Sequence, residues 1–435
     1  MRFEAVAPRP PDPVRVVVDA RPIQEPERGP LTAWYLEHLL HAFAADPLEG
    51  ESFVIVSRAL RDDPALALAE AGLPIVATRR IPPTTRALRS AGLTLDSFLL
   101  RGAEVGTRAD TPSVFHTAGG AVPLASRLPV VASLLDLAPW ELPETYAAGR
   151  AARFGHRLRA RVLRDAARVI VCSRAVGESA RRRLHIPPER ICVIPLAVDD
   201  DFAAAARDGD RLGADRERLG LPARYLAFAG RYDARKDLRT LLAAMALLKS
   251  RGGAVPALVI ALELAFSDDH ALVARAVAAN DLEDVVRTVT TTGARQRAAV
   301  IGGAQAFVYP ALAEATALPA LEALAMGVPV ISSRTGGLPE AVGSAGIVVE
   351  PRDPARMASA LEAMWAGGPL ARQLREHAAR RAGSVQRTWR DVARETRLAY
   401  AQAAQSGVSP ADDVDPTDTA DSEPVRSGFR RFALR

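Results

Sequence analysis

The chain has 435 residues, 49% hydrophobic, 25% charged and 5% aromatic, which excludes wholesale disorder and suits two large domains better than one small core. Its 56 basic residues stand against 51 acidic ones, and a formal net charge of +5 is too mild for a dedicated nucleic-acid binder. Two cysteines, Cys172 and Cys192, exclude a disulfide scaffold and any four-cysteine metal site. No apolar run reaches the roughly 18 uninterrupted residues that a membrane span needs. The opening MRFEAVAPRPPDPVR holds no apolar signal-peptide core, so a cytoplasmic location is the expectation.

Residues 1–13 read as an N-terminal extension. From residue 14 the pattern is strand then helix. RVVVDA (15–20) precedes a helical stretch at 31–46, and SFVIVS (52–57), SVFHTA (113–118), PVVASLLDL (129–137), RVIVCS (168–173) and ICVIPLA (191–197) follow. Alternation of this kind predicts a parallel sheet with helices on both faces, here over residues 14–200. Residues 147–191 carry twelve arginines and three acids. That run reads as a basic helix that could meet an anionic membrane surface or an anionic acceptor, and equally as a solvated face.

A polar stretch after Val198 reads as an interdomain connection, and the pattern then restarts over 201–384. Its strands are YLAFAGR (225–231), ALVIALE (257–263), DVVRTVT (284–290), AFVYPA (306–311), PVISS (329–333) and GIVVE (346–350). Residues 353–402 look all-helical, with 385–405 expected to return to the first domain, and 406–435 read as a disordered tail. Two doubly wound sheets facing a cleft place ligands at the strands' carboxyl ends.

The stretch with most chemistry is FVYPALAEATALPALEALAMGVPV (307–330). Glu314 falls in a loop, and a helix starting near Ala317 carries Glu322. Free amides and a positive dipole end at that helix start suit a phosphate. The carboxylates then make sense as acceptors from sugar hydroxyls, with cations on the phosphates. Arg231 ends the second domain's first strand and Lys236 opens the next helix, so both point to the same cleft. Lys236 is one of only two lysines among the 56 basic residues, which hints at a need for a compact ammonium.

These motifs resemble the retaining glycosyltransferases of family 4, with the GT-B fold of two Rossmann-like domains. Glu314 and Glu322 stand at that family's E-x7-E spacing, Glu322 inside LEALAMGVPV, and Gly230, Arg231 and Lys236 match its G-R-x4-K. The resemblance runs from about residue 14 to about residue 400. It implies transfer of a sugar from a nucleoside diphosphate sugar, with retention, to an unidentified acceptor, with no metal, no other cofactor and no nucleic acid. Arg231 and Lys236 would bind the diphosphate, Glu322 the ribose hydroxyls and Glu314 the transferred sugar. The amides of Thr316, Ala317 and Leu318 would face sugar and phosphate, and the loop at Gly29 would close from the other domain. A cytoplasmic, peripheral place at the inner face of a membrane follows if the arginine-rich segment docks there.

The sequence departs from that family's pattern in places. Leu135 stands where the family has a histidine near the transferred sugar, which raises the alternative of a degenerate relative that binds without transfer. His116, at another strand end, is the candidate substitute, with a structural histidine as the other reading. Asp136 remains to orient an acceptor or cap a loop. Ala315 and Ala317 replace glycines, and a positive φ at either would strain alanine by roughly 1 kcal/mol or more. RTVTTTGARQ (287–296) leaves the base preference unreadable.

Overall fold

The computed structural model describes residues 12–59, 62–82, 100, 111–118, 123, 126–146, 149–263 and 268–406. The first eleven residues and the tail from residue 407, with the expectations placed on them, lie outside the described residues.

Among the described residues the strands form two parallel sheets. The first contains β1 (Arg15–Asp19), β2 (Ser52–Arg58), β3 (Ile75–Ile81), β4 (Ser113–Thr117), β5 (Val130–Ser133), β6 (Arg168–Val171) and β7 (Ile191–Val193), in the order β3-β2-β1-β4-β5-β6-β7. The second contains β8 (Leu226–Ala229), β9 (Leu258–Glu263), β10 (Val286–Thr291), β11 (Phe307–Tyr309), β12 (Val330–Ser333) and β13 (Gly346–Val349), in the order β10-β9-β8-β11-β12-β13. Both orders reverse direction once, at β1/β4 and at β8/β11. Helices diverge from such a point and leave a crevice at the strands' carboxyl ends.

Alternate residues of each strand feed opposite faces. Val16 and Val18 pack under one helical layer, while Val17 enters the other. The first layer includes α1 (Pro30–Ala45), the second α2 (Arg150–Asp165) and α3 (Arg174–Leu184), whose start is capped by Ser173. In the second domain, α4 (Ala294–Gly302) and α5 (Leu318–Ala325) flank β11.

β3, absent from the sequence reading, is an edge strand with four exposed residues in IVATRRI, so its apolar signal is thin. The expected connection after Val198 folds into two helices, Asp200–Arg207 and Gly209–Arg218, and Phe202 enters the second domain's core.

The last helix, α6 (Trp389–Ser406), packs on the first domain. Arg397 forks onto Glu51 at 3.0 and 2.8 Å, and the Tyr400 hydroxyl meets His116 Nδ1 at 2.7 Å. Chain from beyond the second domain thus completes the first domain's core.

Candidate donor-binding cleft

A cavity of about 490 Å³ opens between the domains at the β8/β11 switch point. Pro30, Leu31 and Trp34 of α1 close one side, and Gly230, Arg231, Lys236, Tyr309 and Glu322 lie on the other. Gly29, with extended backbone, precedes α1 and so delivers Pro30 to this wall. Gly230 adopts φ +140°, a conformation open to glycine, where the chain turns out of β8 toward Arg231.

Glu314 is buried beneath the cavity floor and accepts five hydrogen bonds. Lys236 Nζ (2.9 Å) and the Tyr309 hydroxyl (2.8 Å) bond Oε2, while the Thr316 amide (3.2 Å), Thr316 hydroxyl (2.8 Å) and Ala317 amide (3.1 Å) bond Oε1. Burial alone would raise its pKa, but the Lys236 charge and these donors hold it down at about 2. The Lys236 ammonium also hydrogen-bonds the Tyr309 hydroxyl and lies 4.8 Å from that ring's centroid. The Thr316 and Ala317 amides, expected to face sugar and phosphate, therefore serve the protein's own carboxylate. Leu318 is the remaining one of the three, and its side chain lines the cavity.

Glu322, on α5, is buried and forked by Arg297, with Nη2 at 2.7 Å and Nε at 3.1 Å. Burial pushes its pKa up, and Arg297 only partly offsets that because Asp199 and Glu263 add like charge. Arg231 is half-exposed, with Nε 3.5 Å from Asp269. Among the described residues no group of His, Cys, Asp and Glu is placed to hold a metal ion.

Ala317, which starts α5, adopts φ 53°, ψ 19°. Ala315 is not among the positive-φ residues and instead packs against the first domain's core. A left-handed alanine costs roughly 1–2 kcal/mol, while glycine loses about 0.4–1 kcal/mol through its freer unfolded chain. Ala317→Gly should therefore gain about 0.5–1 kcal/mol in denaturant unfolding; a loss of stability would contradict the strain.

One candidate from the sequence does not reach this cleft, and another stands at its edge. His116 is fully buried, with Nε2 2.9 Å from Ser133 Oγ and Nδ1 on Tyr400, and Ser133 in turn bonds Tyr35 at 2.9 Å. Burial drives its pKa down to about 4, so it is a neutral member of a core network and not a substitute catalytic group. Asp136 stands at the domain boundary, its side chain 41% exposed, with two partners. Its Oδ1 accepts the Ala138 amide at 2.8 Å, and its Oδ2 accepts Arg235 Nη1 at 3.1 Å across the domain boundary. Leu135 is buried in the first domain's core.

Arg297, Tyr309 and Arg235 escaped the sequence reading. Tyr309 was within reach, since it ends the strand that feeds Glu314. The arginines were not, because nearly every cation in the chain is an arginine and none stands out.

The fold and cleft define a two-domain α/β protein with a cation pair and two carboxylates at a switch point. Comparison with known proteins is specific. Residues 32–202 match Glycosyltransferase Family 4, and residues 223–367 match Glycosyl transferases group 1. The MMP alpha-(1->4)-mannosyltransferase of Mycolicibacterium hassiacum is 29% identical over 246 residues, 56% of either chain. The structure of sucrose-phosphate synthase from Thermosynechococcus elongatus superposes with a TM-score of 0.64 at 20% identity, covering 90% of this chain and 100% of that one. Anabaena HepE in complex with UDP-glucose gives 0.60 at 16% identity, covering 90% and 98%. The chain belongs to the family 4, group 1 glycosyltransferases and has their GT-B fold. It spans about half the length of the curated relatives it matches.

Proposed function

We propose that the protein transfers a sugar from a nucleoside diphosphate sugar, with retention of anomeric configuration, to an acceptor held against the first domain. The observation that carries this is the convergence of Arg231, Lys236 and Glu322 on one interdomain cavity, with Glu314 beneath its floor and bonded to Lys236. The mannosyltransferase relative and the neighbour crystallised with UDP-glucose support the donor class.

In this reading Arg231 and Lys236 neutralise the charge that grows on the leaving diphosphate. Glu322 accepts from the ribose. Glu314, with a pKa of about 2, is ionised at neutral pH and serves as an acceptor, not a proton donor. A carboxylate offers about four lone-pair sites, and Glu314 already meets five donors. A sugar hydroxyl gains a place on Oε2 when Lys236 leaves it for the diphosphate. Donor binding and creation of the sugar site are thereby one event. The positive charge comes from side chains, so the reaction takes place without a resident metal or other cofactor.

The test is release of nucleoside diphosphate from a panel of UDP-, GDP- and ADP-sugars, in the presence of EDTA, with the product anomer read by proton NMR. Turnover with at least one donor and a retained anomer is expected. Inversion, or dependence on a metal, would contradict the mechanism, and nucleotide binding without any turnover would mark a degenerate relative.

A second reading concerns the membrane. No helix among the described residues is long and apolar enough to cross one. On α2, however, Arg150, Arg153, Arg157 and Arg161 are exposed beside Phe154, which is 62% exposed. A cationic face around an exposed aromatic suits the surface of anionic lipid. Sedimentation with phosphatidylcholine vesicles should require added phosphatidylglycerol and should fail for Arg153→Glu/Arg157→Glu. Equal sedimentation with both vesicle types would remove this reading.

A further inference from the structure

Glu322 does not meet the cleft alone. Arg297, on α4, grips both of its oxygens at 2.7 and 3.1 Å, and its Nη1 lies 3.5 Å from Glu263 Oε1 at the end of β9. All three side chains line the cavity. Arg297 also lies against the Phe202 ring, 5.7 Å from its centroid, so the guanidinium is fixed on two sides. Glu322 is buried, and the acidic groups around it are Glu263 from β9 and Asp199 from the interdomain segment. Asp199 is itself bonded to Trp34 and His38 of α1. Without a cation, a buried carboxylate among like charges would give up its charge by taking a proton.

We propose that Arg297 is a positioning residue, which holds the Glu322 carboxylate in the one orientation that accepts a ribose 2′-hydroxyl. The inference rests on the donor reading above and adds the residue that tunes it. A forked guanidinium takes one lone pair from each oxygen and fixes the plane of the carboxylate. One lone pair per oxygen remains, and these two point outward, away from each other. The ribose 2′-hydroxyl can donate to the outward lone pair on the cavity side, and a 2′-deoxyribose leaves that acceptor empty. Arg297 touches the carboxylate rather than the reacting atoms. Its effect should therefore show in recognition of the sugar ring, not in the chemical step.

The experiment is calorimetric titration of UDP, GDP, ADP and their 2′-deoxy counterparts into the wild-type protein, Arg297→Leu and Arg297→Lys. The wild type should prefer the ribonucleotide about tenfold, the magnitude of one charge-assisted hydrogen bond. Arg297→Leu should lose that preference to within about twofold. Arg297→Lys, which keeps the charge but not the fork, should fall between and recover part of the affinity. If Arg297→Leu fails to fold by thermal unfolding, Arg297→Lys decides alone, and an unchanged preference in it overturns the proposal. Preference retained in both variants overturns it as well. A wild type that binds the ribonucleotide and the deoxynucleotide equally refutes it while leaving donor binding intact. A wild type that binds none of UDP, GDP and ADP refutes the donor reading itself and this inference with it.

Discussion

Lys236→Ala should lower turnover by about two to three orders of magnitude, the range seen when one preorganised charge at a leaving group is removed. The same change should destabilise the fold by roughly 3 kcal/mol, because it leaves a buried carboxylate without its cation. The estimate sits at the low end of the usual range since Tyr309, Thr316 and Ala317 still donate to Glu314. The pH dependence has a definite sign. In the wild type Glu314 is depressed from 4.5 to about 2, so its contribution to stability is full above pH 4.5 and fades as pH falls through that interval. In Lys236→Ala the carboxyl returns upward, and that part of the acid sensitivity shrinks. Lys236→Arg should not restore activity, because the planar fork is larger than the compact ammonium that meets Glu314 Oε2 and the Tyr309 hydroxyl together. Denaturant unfolding at pH 7 and pH 4, with nucleotide-release assays, checks each part. Wild-type turnover in Lys236→Ala would show that Lys236 only stabilises the loop.

Glu322→Ala should weaken donor binding by about 10- to 150-fold, since charge-assisted hydrogen bonds are worth roughly 1.5–3 kcal/mol. The substitution also strands Arg297 without its carboxylate partner. Glu263, at 3.5 Å, is positioned to take over part of that charge. Glu322→Gln should be milder in stability but not in affinity, for an amide offers one acceptor where the carboxylate offers two. Because Glu322 and Arg297 share two hydrogen bonds, the double variant should cost less than the sum of the single ones. Unchanged affinity in Glu322→Ala by calorimetry would remove Glu322 from the site.

The alternation of β-branched runs with helical stretches was enough to read two doubly wound domains, because buried parallel strands are apolar on both faces. The same logic missed β3, whose edge position relaxes that demand. Spacing placed Glu314, Glu322, Arg231 and Lys236 together, since strand ends and helix starts at a switch point converge whatever the detail. Spacing could not say how the charges would pair. That Glu314 takes the helix-start amides, and that Arg297 forks Glu322, depends on side chains arriving from other elements. His116 shows the limit most clearly. A histidine near a strand end is legible, but its partner Tyr400 is 284 residues away, on a helix from beyond the second domain.

The most direct test of the account is a crystal structure of the protein with UDP or GDP bound. The account predicts diphosphate oxygens within hydrogen-bond distance of Arg231 and Lys236, Lys236 withdrawn from Glu314, and a ribose hydroxyl on Glu322. Nucleotide bound elsewhere, for instance in the adjoining cavity of about 510 Å³ lined by Ala204, Asp208 and Arg211, with the Lys236–Glu314 pair undisturbed, would contradict it.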